Sequence, residues 1–291
     1  MIPSSVFFGT SSFSVIVLDE LKKAGLLPTL IVTAPDRPKG RGLALTPSPV
    51  KQWSLQNSIP FLDPSKLDDS FTYKLKATSY QLFIVASFGK IIPQKILDIP
   101  QKSTLNVHPS LLPLYRGPSP IQSQILEGID TVGVTIMVMD EDMDHGPILA
   151  QEALPMPQPL PTSEQFEKEL AILGGELLAR VIPEWLAGTI SPQEQDHGLA
   201  TYTKKFEKSD GLIDLSDNPE KNFRKIRALS ENPGTYFFTE RNGPPSPGFG
   251  ATSKKIRVKI TDAEYIDGKL ILKRVIPEGK REMTYEEFLR G

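Results

Sequence analysis

Short apolar segments alternate with helical patterns along the first two thirds of the chain. The apolar segments are β-branched and apolar on successive positions, as strands covered on both faces are. The strand candidates are residues 6–10, 29–34, 82–87, 104–108 and 133–139. The helix candidates between and after them are residues 12–24, 49–57, 119–127 and 163–186. This order predicts an α/β fold with a Rossmann-like, open, mostly parallel sheet and helices on both faces.

The sequence changes character after residue 187. Residues 188–205 are polar, have no strong hydrophobic period and are typical of a linker. Residues 206–291 contain one helical segment near 219–230 and several short strand candidates, separated by turns rich in Gly and Pro. This pattern predicts a small OB-like β-barrel as a second domain.

Composition excludes several classes of chemistry. The chain has no cysteine, which excludes disulfides, cysteine metal sites and thiol nucleophiles. We expect a cytoplasmic protein, because the N-terminus shows no secretory pattern and no apolar run is long enough to span a membrane. The net charge of −2 does not indicate a nucleic-acid binder. Residues 206–291 are slightly basic, with 16 Lys and Arg against 14 Asp and Glu.

A glycine, Gly9, follows the first strand candidate and leads into a helical pattern. The dinucleotide-binding fingerprint needs three glycines at fixed spacing, and only Gly9 is present. A plain strand-to-helix turn is therefore the favoured interpretation.

Acidic residues alternate in the stretch "MDEDMDHGPILAQ" (139–151). A calcium loop has Gly at its sixth position and Glu at its twelfth, where this chain has His145 and Gln151. We therefore expect no metal here and interpret Glu141 and Asp142 as part of a solvated turn. Asp144 differs, because it follows an apolar strand and precedes Gly146-Pro147, where a parallel sheet gathers functional groups.

Asn106 and His108 stand two residues apart on the strand candidate 104–108. Alternate side chains of a strand share a face, so the amide and the imidazole point the same way. Pro109 ends the strand, which places both side chains at a carboxyl end, where open α/β sheets bind ligands. A lone histidine there is more often structural, but an amide, an imidazole and the acid Asp144 together favour catalysis.

These three side chains suit acyl transfer to an amine. The Asn106 NH₂ group can donate to an oxyanion, and a carboxylate beside His108 favours the imidazolium form, which also donates. The chain shows no Ser-His-Asp arrangement, so the substrate would bring its own nucleophile. The enzyme would then hold the tetrahedral oxyanion and manage the proton of the amine.

Asn106-x-His108, the turn Ser110-Leu111-Leu112-Pro113 and the later Asp144 resemble the signature of the tetrahydrofolate-dependent formyltransferases. Members of this family move a formyl group from 10-formyltetrahydrofolate to an amine. The resemblance implies that Asn106, His108 and Asp144 are catalytic, and that the turn residues Ser110, Leu111, Leu112 and Pro113 bind folate.

The stretch "SFGKIIP" (87–93) is similar to the folate-side loop of the family. The resemblance therefore adds Phe88 and Gly89 to the folate contacts. Phe88 stands where a tyrosine is commoner in the family.

The stretch "PDRPKGRGLALTPSPVK" (35–51) carries Arg37, Lys39, Arg41 and Lys51 against the single acid Asp36. A solvated loop is the plain interpretation, but long loops of one charge sign often contact phosphate. The stretch is similar to the loop of those family members that formylate methionyl initiator tRNA. The resemblance implies that Arg37, Lys39 and Arg41 bind the tRNA.

The resemblance covers nearly the whole chain, including residues 201–216. It implies a catalytic domain over 1–187, a linker over 188–205 and an OB-like tRNA-binding domain over 206–291. The implied activity transfers a formyl group from 10-formyltetrahydrofolate, as co-substrate, to the methionine amine of charged initiator tRNA for translation initiation. We expect initiator methionyl-tRNA and the folate as partners, a monomer, no metal and no membrane partner.

Two alternatives share part of this pattern. A 10-formyltetrahydrofolate hydrolase, or a formyltransferase acting on a sugar or nucleotide amine, would share the three catalytic residues but lack the basic loop. A protein of another class, a non-catalytic RNA-binding protein, would keep the second domain but would not need all three catalytic residues.

Overall fold

The computed structural model describes residues 4–39, 44–242 and 253–290. The chain forms two compact units, and each takes residues from separate parts of the sequence. The first unit comprises Met1–Pro120, Thr131–Pro155 and Glu167–Thr203, and the second comprises Ile121–Asp130, Met156–Phe166 and Lys204–Gly291. The domain boundaries 1–187, 188–205 and 206–291 stay a prediction.

A seven-stranded sheet with helices forms the first unit. The strands up to residue 155 are β1 (Ser5–Gly9), β2 (Leu30–Val32), β3 (Arg37–Lys39), β4 (Ala44–Thr46), β5 (Phe61–Leu62), β6 (Leu82–Ala86), β7 (Thr104–His108), β8 (Thr131–Val138) and β9 (Ile148–Pro155). The helices up to residue 187 are α1 (Ser12–Lys23), α2 (Pro49–Gln56), α3 (Asp69–Lys76), α4 (Gln94–Leu97), α5 (Pro120–Glu127) and α6 (Ser163–Ala187). Nearly all of α5 and the first turn of α6 belong to the second unit. The predicted α/β class is confirmed.

The strand order of the sheet is β5-β2-β1-β6-β7-β8-β9. All neighbours from β5 to β7 run parallel, whereas β8 runs antiparallel to both β7 and β9. The sheet is therefore mostly parallel, as predicted. Because β2 and β6 lie on opposite sides of β1, the winding direction changes between β1 and β6. Open α/β sheets bind ligands beyond the carboxyl ends of the strands at such a point.

The central strands of the sheet are buried, which explains their apolar sequence pattern. Every residue of β1, β6 and β7 is buried. β1 and β6 are largely apolar on both faces, whereas β7 carries the polar Thr104, Asn106 and His108 on one face. Phe8 and Phe83 pack at 5.3 Å between ring centroids within the core. The start of α2 follows its sequence signal, because the Ser48 hydroxyl accepts a hydrogen bond from the backbone of Lys51 at 3.0 Å and Pro49 occupies the first turn.

Some elements have weaker sequence signals. β9 alternates between covered and exposed positions, so it lacks the continuous apolar run that marks the central strands. The stretch interpreted as a basic loop contains a hairpin, in which β3 pairs antiparallel with β4. Arg41 lies outside the described residues.

An antiparallel sheet forms most of the second unit. Its strands are β10 (Thr235–Asn242), β11 (Ser253–Ile266), β12 (Lys269–Pro277) and β13 (Met283–Thr284), with the helices α7 (Pro219–Ala228) and α8 (Tyr285–Arg290). The strands pair in chain order, and β11 has an irregular register around Asp262. Phe237, Val258 and Val275 contribute to a core of its own. The predicted small β-rich second domain, with one helix before its strands, agrees with this arrangement.

Candidate active site

The end of β7 carries Asn106 and His108. Val107, between them, packs its Cγ1 atom against Gly174 of α6. Alternation along the strand therefore directs the side chains of Asn106 and His108 to the other face of the sheet, as predicted. Asn106 is 8% exposed and His108 is 4% exposed, so both are largely shielded from bulk water.

The side-chain amide of Asn106 has no hydrogen bond to any residue that the structure describes. Amides in such covered positions are nearly always hydrogen-bonded. The NH₂ group at the end of β7 is therefore available to a bound molecule, and it can donate to an oxygen that gains negative charge.

Two contacts orient the ring of His108. Its Nε2 atom lies 3.1 Å from the carbonyl oxygen of Tyr115, and because a carbonyl only accepts, Nε2 donates there. Its Nδ1 atom lies 3.5 Å from Oδ1 of Asp144. The ring therefore presents Nδ1 to the acid, and the pair can accept and pass on a proton.

The prediction that Asp144 follows a parallel strand is wrong, although Asp144 does reach His108. β8 runs antiparallel to β7, and Val138 at its end pairs with Leu105 near the start of β7. Asp144 therefore does not follow a parallel strand and approaches His108 from the loop between β8 and β9. There it has a left-handed φ of 51°, and its Oδ2 atom accepts a hydrogen bond from the backbone of Gly117 at 2.7 Å. Glu141 and Asp142 are exposed, as predicted.

The turn after β7 is held by its own polar groups. The Ser110 hydroxyl donates to the carbonyl of Leu114 at 2.6 Å, and Gln151 donates to the carbonyl of Leu112 at 2.8 Å. The side chains of Ser110 and Leu112 are buried, whereas Leu111 and Pro113 are half-buried. Ser110 and Leu112 therefore shape the turn, and Leu111 and Pro113 offer it an apolar surface.

A cavity of about 590 Å³ lies at the change in winding direction between β1 and β6. Residues after β1, β2 and β6 line it, among them Thr10, Ala34, Phe88 and Gly89. The Phe88 ring also belongs to the core, where it meets Phe8 edge-to-face at 5.5 Å. Because β7 neighbours β6 and runs parallel to it, the cavity and the end of β7 lie at the same edge of the sheet.

The cavity has a positive character. Arg37 and Lys90 both line it. Burial lowers the pKa of Lys90, and the neighbouring Arg37 cation lowers it further. A bound anion would relieve this repulsion, so the cavity suits a ligand with carboxylate or phosphate groups.

The cations of the basic stretch fall into different environments. Arg37 is exposed, and Lys39 lies on β3. Lys51 differs, because its ammonium group lies 2.8 Å from both Asp36 and Asp63, and these hydrogen bonds raise its pKa. Counting Lys51 with the other cations of the loop is therefore wrong, since two carboxylates neutralise it.

The sequence interpretation missed Gly117, which contacts the acid directly. Gly117 has a φ of +108°, and a Cβ atom there would lie 2.9 Å from Oγ1 and 3.0 Å from the carbonyl oxygen of Thr203. Only glycine fits this backbone without strain. The glycine in "YRG" (115–117) is the sequence signal that could have indicated it.

Gly117→Ala should lower turnover by about 10²-fold, because it displaces the N–H group that holds Asp144, and a misplacement of about 1 Å has this effect. Gly25→Ala is the matched control. Gly25 has a similar left-handed φ of +71° with nothing near the new methyl group, so it tests backbone strain alone. Steady-state rates and thermal melts of both variants check this. Equal losses of activity in the two variants would contradict the account.

Among the described residues, no group of three His, Cys, Asp or Glu side chains is arranged to hold a metal ion. None of the helices in the described part of the chain is long and apolar enough to cross a membrane.

An open α/β sheet whose β7 end carries an amide with no hydrogen bond within the described part of the chain, and an imidazole that a loop carboxylate reaches, suits acyl transfer. The chain belongs to the formyl transferase family, whose model matches residues 4–182.

Curated relatives of this chain carry a more specific name. A protein named methionyl-tRNA formyltransferase from Thermodesulfovibrio yellowstonii is 36% identical over 298 residues, which cover 98% of this chain and 95% of the relative. One of the same name from Chloroflexus aurantiacus is 43% identical over 234 residues, 80% of this chain and 75% of the relative.

Solved structures show the same fold with less sequence similarity. An N-formyltransferase from Helicobacter canadensis, in complex with folinic acid and dTDP-3-aminofucose, superimposes with a TM-score of 0.61 at 18% identity. The match covers 94% of this chain and 99% of that one.

Proposed function

We propose that this protein transfers a formyl group from 10-formyltetrahydrofolate to the methionine amine of charged initiator tRNA, for translation initiation. The observation that carries the proposal is the Asn106 amide, which has no hydrogen bond to any described residue and lies on the same face of β7 as His108, whose Nδ1 atom lies 3.5 Å from Asp144. The similarity to relatives of that name over nearly the whole chain supports the choice of acceptor.

The proposed reaction needs no covalent enzyme intermediate. The methionine nitrogen attacks the formyl carbon, and the carbonyl oxygen becomes an oxyanion that accepts a hydrogen bond from the Asn106 NH₂ group. The His108–Asp144 pair takes the proton that the amine loses. The bond between the formyl carbon and N10 of the folate then breaks, and N10 leaves with the proton that the pair took from the amine, which gives tetrahydrofolate and formylmethionyl-tRNA.

The folate donor would lie along the edge formed by the turn after β7 and the loop after β6. Leu111 and Pro113 would flank its flat ring system, and Phe88 and Gly89 would close the site from the β6 side. Ser110 and Leu112 would contribute by fixing the turn. Arg37 and Lys90 would attract the glutamate carboxylates of the donor or the phosphates of the acceptor.

The basic stretch would contact the acceptor. Arg37, Lys39 and Arg41 carry like charges on one segment, and each arginine can bind a phosphate through two parallel hydrogen bonds. Lys51 would not take part, because Asp36 and Asp63 hold it.

A second surface in the antiparallel sheet suits RNA. The Tyr236 and Phe238 rings lie 5.6 Å apart on the face of β10 opposite the buried Phe237. Lys255 lies 4.9 Å from the Phe238 ring and Arg257 lies 5.5 Å from the Tyr236 ring. RNA bases stack on exposed aromatic rings, and cations beside such rings bind the phosphates of the RNA backbone. This supports residues 206–291 as the tRNA-binding domain, whereas the position of Asn106, His108 and Asp144 supports 1–187 as the catalytic domain.

Arg37→Ala should weaken binding of charged initiator tRNA and make it less dependent on salt, since each lost phosphate contact reduces the slope of log K against log salt by about 0.9. Arg37→Lys should recover part of the loss. Lys76→Ala is the control, because it removes one exposed cation from α3 instead. The tRNA affinities of the parent and the variants at two salt concentrations measure this salt dependence. An unchanged slope for Arg37→Ala would leave the segment as ordinary surface.

The identity of the labelled product shows which acceptor the protein uses. The protein is incubated with a labelled formyl donor and, in separate reactions, methionyl initiator tRNA, a nucleotide-linked amino sugar, or no acceptor. We expect label on methionine in the first reaction only. Label on the sugar, or free formate at an equal rate without acceptor, would favour the alternatives, and RNA binding without turnover would indicate a non-catalytic protein.

We place the reaction in the cytoplasm, with the protein acting as a monomer.

A further inference from the structure

The segment from residue 195 to 203 runs beside the turn that holds the catalytic pair. The backbone N–H of Arg116 donates to the carbonyl of Thr201 at 2.9 Å, and the N–H of Thr203 donates to the carbonyl of Arg116 at 2.7 Å. Arg116 stands between Tyr115, whose carbonyl accepts from His108, and Gly117, whose N–H binds Asp144. Fixing Arg116 therefore fixes both contacts.

The side chain of Arg116 is 1% exposed. Its Nε and Nη2 atoms donate to Oε1 of Gln195 at 3.2 and 2.7 Å. On its outer side it contacts His197 Nδ1 at 2.9 Å and the Tyr202 hydroxyl at 3.3 Å. A buried cation is expensive unless its donors are satisfied, and within the described part of the chain neutral acceptors satisfy it without a carboxylate.

Gln195 links this cation to the catalytic loop. It is 5% exposed, and its Nε2 atom donates to the carbonyl of Asp144 at 3.0 Å and to that of Gly146 at 2.7 Å. A guanidinium only donates and a carbonyl only accepts, so a reversed amide would lose all these bonds. Arg116 therefore determines which end of the Gln195 amide faces Asp144.

Asp144 needs such support. Its φ of 51° is a left-handed conformation, which a residue other than glycine adopts only where its surroundings hold it. The carboxylate is held by Gly117, and the carbonyl is held by Gln195.

We infer that Arg116 and Gln195 are positioning residues, which hold the Asp144 carboxylate beside His108 Nδ1, 3.5 Å away. The inference rests on the proposed function for the reaction that it serves. Neither residue touches the reacting atoms.

Gln195→Glu separates the contact of Gln195 with Arg116 from its contacts with the carbonyls of Asp144 and Gly146. A glutamate can still accept from Arg116, and with its charge it should do so more strongly, but it presents oxygen to two carbonyl oxygens. We expect the variant to stay folded, because the stronger bond to Arg116 offsets the two bonds lost to the carbonyls, and a kcat about 10²-fold lower, as for a misplacement of about 1 Å. The KM for charged tRNA should stay within about threefold, since the loop that binds phosphate is unchanged.

Two further variants complete the test. His197→Ala is the control, because it removes an Arg116 contact on the exposed side, where water can substitute; its kcat should stay within about threefold of the parent. Gln195→Asn has an amide too short to reach both Arg116 and the two carbonyls, and it should lower kcat as well. It repeats the test if Gln195→Glu does not fold.

The outcomes distinguish this inference from the proposed function. A parent without formyl transfer would contradict the proposed function. An active parent with an equally active Gln195→Glu, or losses that only follow the melting temperature, would overturn the inference. The crystal structure of Gln195→Glu provides a measurement independent of activity: we expect the distance from Asp144 Oδ1 to His108 Nδ1 to exceed the present 3.5 Å, and an unchanged distance would overturn the inference.

Discussion

Asn106→Ala should lower turnover about 10²–10³-fold, because it removes the single amide that can donate to the oxyanion from this face of β7. The loss should appear in kcat, since the hydrogen bond strengthens only as the carbonyl oxygen gains charge. Steady-state kinetics with charged tRNA and the formyl donor measure it. Folding should be retained, because no described residue depends on the Asn106 amide for a hydrogen bond.

Asn106→Asp is the matched variant. It has nearly the same shape but offers an acceptor where the reaction needs a donor, so it should be at least as impaired as Asn106→Ala. Folate affinity, measured by fluorescence, should change little in either. Near-normal turnover in Asn106→Ala would mean that another group holds the oxyanion.

His108→Ala and Asp144→Asn should each lower turnover about 10²–10⁴-fold, the range of general acid–base catalysis. The double variant should be little worse than either single one, because the two side chains form one proton-accepting unit at 3.5 Å. A double-mutant cycle of kcat/KM measures the coupling. Fully additive losses would show two independent roles. Asp142→Asn, on the same loop but exposed, should keep parental activity.

Local patterns were sufficient to predict the α/β fold and the strand-end position of Asn106 and His108. β1 and β6 are buried on both faces, so their apolar runs are unambiguous. The Ser48-Pro49 helix start needed only local chemistry. β9 was not predicted because one of its faces is exposed.

The partners of the site could not be predicted in the same way. Asp144 reaches His108 through a loop after an antiparallel strand, and strand direction is decided by pairing between distant segments. Gln195 lies 51 residues from Asp144 in sequence, in a polar stretch typical of a linker, and its burial arises only from tertiary packing. Likewise, Lys51 appeared to be a free cation because Asp63, twelve residues away, is not part of the basic stretch.

The most direct test of the central claim is a single-turnover reaction with a donor carrying ¹³C in its formyl group and methionyl initiator tRNA as acceptor. After release from the tRNA, mass spectrometry of the methionine should show one labelled formyl group per molecule in the parent. It should show about 10²-fold slower labelling in Asn106→Ala, as expected for one lost oxyanion donor. Initiator tRNA carrying N-acetylmethionine, whose amine is blocked, should stay unlabelled. Label that appears as free formate at the same rate with either tRNA would contradict the account.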